Sequence, residues 1–142
     1  MNDDLYQTEI IARARAGAQD SRLDPHHARV TTDNPLCGDR VTLDLRMVDG
    51  AITEAGHRTR GCALCQAASE TLRRCLPGAT VSVAQQGRTQ VQNYLSAGGA
   101  LDGRWTSFTA FEPVRRHPSR HSCVLLPFDA LIEAMNATGS AT

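Results

Sequence analysis

The sequence predicts an α+β fold on three observations: a well-marked β-hairpin, helical runs after it, and a length of 142 residues. That length is one ordinary domain, 1–142, large enough to bury its own core without disulfide staples. In the hairpin, Val41, Leu43, Leu45 and Met47 fall at every second position with Thr42, Asp44 and Arg46 between them, the period of a half-buried strand. Asp49-Gly50 then turns the chain, since a type I′ turn needs two residues that accept positive φ, and Ala51 to Thr59 returns as the partner strand.

The remaining elements follow in chain order. Leu5, Ile10, Ile11 and Ala14 recur at helical spacing beside Tyr6 and stop at Gly17, so residues 4–16 read as a short amphipathic helix. Asp20 to Arg29 is a polar loop. Gly61 closes the second hairpin strand. Ala63 through Leu76 forms a helix, with Leu64, Ala67, Ala68, Thr71, Leu72 and Cys75 near one face and Pro77-Gly78 as its stop. Val81 to Leu95 is the next helix, weakened by Gly87 and ended by Gly98-Gly99. Residues 100–117, with Trp105, Phe108 and Phe111, show no clear period and read as a packed loop. Leu125, Phe128, Leu131, Ile132 and Met135 define a last helix, and 136–142 is a frayed tail.

Composition removes several functions. Acidic and basic residues balance at 15 each, so no whole-molecule field favours nucleic acid or an anionic membrane. All the basic residues are Arg. Without Lys the chain can form neither the Schiff base of a pyridoxal-phosphate enzyme nor the phosphate clamp of a P-loop. Five Cys is an odd number, and Met1-Asn2-Asp3-Asp4 does not lead into a basic stretch with an apolar signal core. Thiols in such a chain read as metal ligands or reactive groups in the cytoplasm rather than as disulfides. No apolar stretch approaches the roughly 18 residues that cross a bilayer.

Three segments carry candidate chemistry: Asn34-Pro35-Leu36-Cys37-Gly38-Asp39, Gly61-Cys62-Ala63-Leu64-Cys65 and Pro118-Ser119-Arg120-His121-Ser122-Cys123. Gly38 tolerates unusual backbone angles, so Cys37 and Asp39 can point inward from one tight turn. Cys62 sits at a helix start and Cys123 before the last helix, where the dipole and free amides favour a thiolate. Cys65, one helical turn beyond Cys62, reads as a core thiol, a spare ligand, a second sulfur carrier or half of a Cys-x-x-Cys redox pair. Cys75 packs. The histidines read mostly as surface residues, with His121 an alternate ligand; Arg120 either supports the site or forms a surface ion pair. The spacing is not that of paired zinc-finger knuckles, and from pattern alone a metal site and unrelated loop and core cysteines stand equally.

The motifs Asn-Pro-x-Cys-Gly-Asp, Gly-Cys at a helix start and a C-terminal Cys after Pro-x-Arg-x-x resemble the iron-sulfur scaffold family of the NifU N-terminal domain, IscU and SufU. Residues 4–136 are covered, most strongly 34–39, 61–62 and 118–131. Ser122 stands where IscU-like proteins place His before the last Cys, Pro113-Val114-Arg115-Arg116 replaces their Leu-Pro-Pro-Val-Lys segment, and the stretch from Leu95 to Cys123 is long, as in SufU. The SufU branch is the nearer one. Cys65 departs from the family, which carries a small or apolar residue there. The resemblance implies a SufE/NifU-like fold, a small antiparallel three-stranded sheet with helices on one face and the metal at the exposed edge. It implies Cys37, Asp39, Cys62 and Cys123 as metal ligands, and Cys37, Cys62 and Cys123 as holders of a [2Fe-2S] cluster. Cys37 would also be the acceptor of sulfur from a SufS-like cysteine desulfurase. The bound metal is then zinc or iron, and the other partners are apo iron-sulfur proteins or downstream carriers. Such a chain is at most a zinc-dependent sulfurtransferase and otherwise a non-enzymatic scaffold. An adaptor domain with a purely structural zinc is the alternative.

Overall fold

A computed structural model describes residues 7–36 and 38–137. Its elements run α1 (Thr8–Gly17), β1 (Ala28–Asn34), β2 (Asp39–Val48), β3 (Ala51–Arg60), α2 (Ala63–Cys75), α3 (Val81–Ala97), a run of 3-10 turns (Gly103–Arg116), a further 3-10 turn (Pro118–Arg120) and α4 (His121–Ala137). Leu5, Tyr6, Cys37 and residues 138–142 lie outside the described residues. The sheet has the order β1-β2-β3 and is antiparallel throughout, so β2, which opens at Asp39, is the central strand. Asp49 and Gly50 both hold positive φ, 53° and 78°, as the hairpin reading requires.

Strand parity decides what faces the core. Val41, Leu43 and Leu45 of β2 point inward and are buried, with α4 packed on β2 and α2 on β3, in one core cluster with Leu64, Ala67, Ala68 and Leu72 of α2 and Phe128, Leu131 and Met135 of α4. Helix α1 lies on α2, and α3 on α4. Strand β1 falls where the sequence offers Thr31, Thr32 and Asp33 rather than an apolar alternation; the sheet supplies it because Val30 and Thr32 pair with Leu43 and Val41 while their other faces are polar. Within the described residues no helix is long and apolar enough to cross a membrane.

Residues 103–116 are ordered, not a loop. Trp105, Phe108, Phe111 and Val114 are buried and stand three apart, the period of the 3-10 helix, which has three residues per turn. The Phe128 ring of α4 lies 5.6 Å from Trp105 and 5.4 Å from Phe108, tying this segment to the last helix. Gly87 in the middle of α3 has a packing reason. A Cβ there would lie 2.3 Å from Cζ2 of Trp105, so glycine's cost in helix propensity of about 1 kcal/mol is exchanged for the close fit of the indole.

His57 departs from the expected surface position. It is fully buried on the inner face of β3, in parity with Ala55 and Thr59. Its Nδ1 is 2.9 Å from the Thr59 hydroxyl and its Nε2 3.4 Å from Oε1 of Glu70, itself buried on α2. Glu70 also accepts from Arg73 and Arg74, so the carboxylate's charge is answered within its own helix. Burial pushes the His57 pKa below its ordinary 6.5, against the raising influence of Glu70. The unfolded chain therefore takes up a proton that the folded chain refuses, and stability falls as pH drops below about 6.5, by at most about 1.4 kcal/mol per pH unit. Urea titrations between pH 7 and 5 should show this slope in the parent protein and its loss in His57→Gln; equal slopes in the two proteins would contradict the assignment.

Candidate metal centre

Two helix starts and one strand start meet at one end of the sheet. Asp39 is the first residue of β2 and is turned inward, only 1% exposed. Cys62 caps the N-terminus of α2 in an extended conformation. Cys123 lies within the first turn of α4 rather than ahead of that helix, because the 3-10 turn Pro118–Arg120 leads straight into it. One carboxylate oxygen of Asp39 and the sulfurs of Cys62 and Cys123 all lie within 4.8 Å of one another.

Local sequence explains each placement. Asp39 Oδ1 accepts the Cys62 backbone N–H at 2.9 Å, and Oδ2 lies 3.5 Å from Cys62 Sγ. This carboxylate thus satisfies one of the amides that a helix start leaves without an intrahelical partner. Gly61 makes the approach possible. Its φ is +150°, and a Cβ there would lie 2.0 Å from Asp39 Oδ1, so any other residue would push the carboxylate away. At the far side, Pro127 has no N–H for the carbonyl of Cys123 one turn earlier, which loosens the helical ladder at the position of that thiol.

The loop before β2 is latched to α4. Asn34, 6% exposed, accepts the Leu36 N–H on Oδ1 at 3.0 Å and donates from Nδ2 to the Ser122 hydroxyl at 3.0 Å. Its carbonyl takes the Gly38 N–H at 2.8 Å, and Gly38 holds φ +76°, which glycine adopts at little cost. Cys37 is on this loop and lies outside the described residues. A cleft of about 330 Å³ is lined by Asp33, Asn34, Pro35, Gly38, Arg40 and Arg60.

The other candidates separate. Cys65 is fully buried, and its backbone N–H donates to Cys62 Sγ at 3.4 Å. Cys75 packs at the far end of α2 with its thiol donating to the Arg104 carbonyl at 3.2 Å. His121 Nε2 is 3.0 Å from the Val114 carbonyl, which commits the ring to the 3-10 segment. Arg120 is half-exposed and makes no ion pair among the described residues. The Cys62 thiol is held down at about 7, chiefly by its hydrogen bond with Cys123, then by the Cys65 amide, with burial and the negative charge of Asp39 opposing. Asn34 and Ser122 were noted in the sequence as parts of separate motifs; the contact between them has no signature in a single chain.

Two sulfurs and a carboxylate oxygen suit a thiophilic cation. Zinc bonds of about 2.0 to 2.3 Å hold donors roughly 3 to 4.5 Å apart, so the trio needs little movement to close on one ion, with room for a fourth ligand. The donor set therefore fits zinc, and its sulfurs equally fit iron in a sulfide cluster.

The family model of the NifU-like N terminal domain matches residues 5–103. The iron-sulfur cluster assembly scaffold protein IscU of Thermotoga maritima is 23% identical over 131 residues, 92% of each chain. A crystal structure of a nitrogen-fixing NifU-like protein (N-terminal) from Brucella abortus superposes with a TM-score of 0.88 at 33% identity, covering 99% of this chain and 98% of that one. A candidate iron-sulfur cluster assembly scaffold protein for the SUF system from Fervidobacterium islandicum AW-1 shares the fold, with a TM-score of 0.80 at 23% identity over 92% and 96% of the two chains.

Two outcomes are expected. Gly61→Ala should lower zinc affinity about 10- to 100-fold, the range for disturbing a group that orients a ligand, with circular dichroism unchanged; competition against a chromophoric chelator measures it, and an unaltered affinity would contradict the role given to Gly61. Alkylation of Cys62 in the metal-free protein, followed site by site by mass spectrometry, should rise through pH 7. Asp39→Asn should move that rise to lower pH, because it removes a charge that opposes the thiolate.

Proposed function

The chain belongs to the NifU-like N terminal domain family, and from that premise we propose that it is an iron-sulfur cluster assembly protein. The convergence of Asp39, Cys62 and Cys123 within 4.8 Å carries this reading, since three segments far apart in sequence bring together the donors such a protein needs. Membership of the family favours assembly over an adaptor built on a structural zinc.

In this reading Asp39, Cys62 and Cys123, joined by Cys37 from the adjoining loop, hold zinc or receive a nascent two-iron cluster as cargo. Bound zinc keeps thiolates unprotonated and lowers their basicity. Cys37 is the sulfur acceptor. Its thiolate attacks the outer sulfur of a persulfide on a SufS-like cysteine desulfurase, so that a Cys37 persulfide forms and the desulfurase thiolate leaves. The absence of Lys from the chain supports a separate desulfurase, because this sequence offers no lysine amine with which to hold pyridoxal phosphate and free the sulfur itself. Apo iron-sulfur proteins or downstream carriers take the product, and the cytoplasm is the compartment that keeps these thiols reduced. Asp39 supplies exchangeability: a hard carboxylate binds iron of a cluster less firmly than a thiolate would.

Anaerobic incubation with iron and sulfide should give visible charge-transfer absorption, lost in Cys62→Ser and Cys123→Ser, and Asp39→Ala should slow release to an apo-ferredoxin several-fold. Stimulation of a cysteine desulfurase should be lost in Cys37→Ser. A protein that neither acquires the chromophore nor stimulates the desulfurase would overturn the reading. Elemental analysis of protein purified without added metal identifies the resident ion.

A further inference from the structure

We infer that Cys62 and Cys65 form a redox pair, closed by small disulfides into an intramolecular bond that withdraws Cys62 from the metal centre. Only the second half rests on the function proposed above. Cys65 is the one thiol of the Gly61–Cys65 segment that this function leaves unused.

The geometry is that of a dithiol at a helix start. Cys62 is the cap residue of α2 and Cys65 lies in its first turn, and the Cys62 sulfur already accepts the Cys65 backbone N–H at 3.4 Å. A rise of about 1.5 Å and a turn of about 100° per residue set Cα atoms three apart at about 5 Å, within the Cα separations of about 4.4 to 6.8 Å that a disulfide accepts, while the Cβ atoms must close from about 5 to 6 Å to about 4.5 Å or less. Closure therefore needs side-chain rotation and a small adjustment within one turn, with no movement between elements. The two thiols are also unequal in the sense that exchange needs. Cys62 is half-exposed and can meet a reagent, whereas Cys65 is fully buried and is shielded from one. Cys75 is excluded by its place at the other end of α2. Cys123 is the rival, since its sulfur also lies near Cys62; bonding to it would pull together the starts of two helices that are packed through the core.

The chemistry balances with a small organic disulfide as oxidant. The Cys62 thiolate attacks one sulfur of the reagent, forming a mixed disulfide and releasing one thiolate. Cys65 then gives its proton to water, its sulfur attacks that of Cys62, and the second reagent thiolate leaves. Two protein thiols are oxidised and one disulfide is reduced to two thiols. Cys62 no longer has a thiolate to donate, so the same bond that protects it from further oxidation removes it as a ligand.

The test uses metal-free Cys37→Ser protein, which removes the thiol of the adjoining loop, treated with oxidised glutathione and cleaved after Arg. Residues Gly61 to Arg73 then form one peptide containing both cysteines. The expected product is that peptide lighter by two hydrogens, with zinc binding at least tenfold weaker and recovered after dithiothreitol. Cys65→Ser should instead keep glutathione on Cys62. A stable glutathione adduct on Cys62 with Cys65 present, an unreacted Cys62, or a cross-link to the peptide carrying Cys123 would each overturn the pair. Formation of the 62–65 bond in the Cys37→Ser protein, together with no zinc binding by the reduced parent protein that keeps Cys37, supports the pair and overturns the metal reading, which keeps the two failures apart.

Discussion

The candidate metal centre depends on one contact, the Asp39 carboxylate set against the Gly61-Cys62 peptide. A carboxylate that is 1% exposed is costly unless donors answer it, and the N-terminus of α2 has amides with no partner of their own. Each group meets the other's need across 2.9 Å. The central strand and the helix that carries Cys62 are thereby locked end to end. The missing Cβ of Gly61 is the condition for that lock, which gives the Gly-Cys dipeptide a reason beyond loop geometry.

Rotation of α2 about its axis is fixed further along. His57 of β3 meets Glu70 near the middle of the helix, and Arg73 and Arg74 hold the same carboxylate from the next turn. A helix pinned at its cap by Asp39 and at its middle by His57 cannot turn without leaving a buried polar group unpaired, a loss of about 1 to 3 kcal/mol or more. The aim of Cys62 is held by this polar ladder as much as by the apolar face of Leu64, Ala68 and Leu72. From the other side the Asn34–Ser122 hydrogen bond keeps the loop before β2 against the first turn of α4, next to Cys123.

How much of this was legible from the chain depended on whether a residue's neighbours in sequence are also its neighbours in space. The hairpin was, because alternation over Val41 to Met47 and the Asp49-Gly50 turn are local signals. Strand β1 was not: Thr31, Thr32 and Asp33 have no apolar rhythm, and their conformation comes from pairing with β2. The apolar spacing of Trp105, Phe108, Phe111 and Val114 was in plain view, but a period of three fits neither an α-helix nor a strand, and it acquired meaning only with the 3-10 turns. His57 could have been placed inside by its parity with Ala55 and Thr59, a signal outweighed by the usual exposure of histidine. Asp39, Cys62 and Cys123 were legible through resemblance. Their mutual distance, the place of Cys123 inside α4, and the commitment of His121 to Val114 are tertiary facts.

The same geometry makes this end of the sheet a candidate site for a cation. Asp39 Oδ1 takes the Cys62 amide, and Oδ2 lies 3.5 Å from the Cys62 sulfur. Two groups that both tend toward negative charge are thus held nearly in contact, with the start of α2 favouring anions from behind. The Asp39 charge accordingly works against the Cys62 thiolate while Cys123 and the Cys65 amide work for it. A bound cation would relieve that repulsion and take the place of the Cys62 proton. Metal binding at such a centre must therefore release protons and strengthen as pH rises through about 7, so the site is organised by the fold before the metal arrives and tuned by what it would otherwise have to hold.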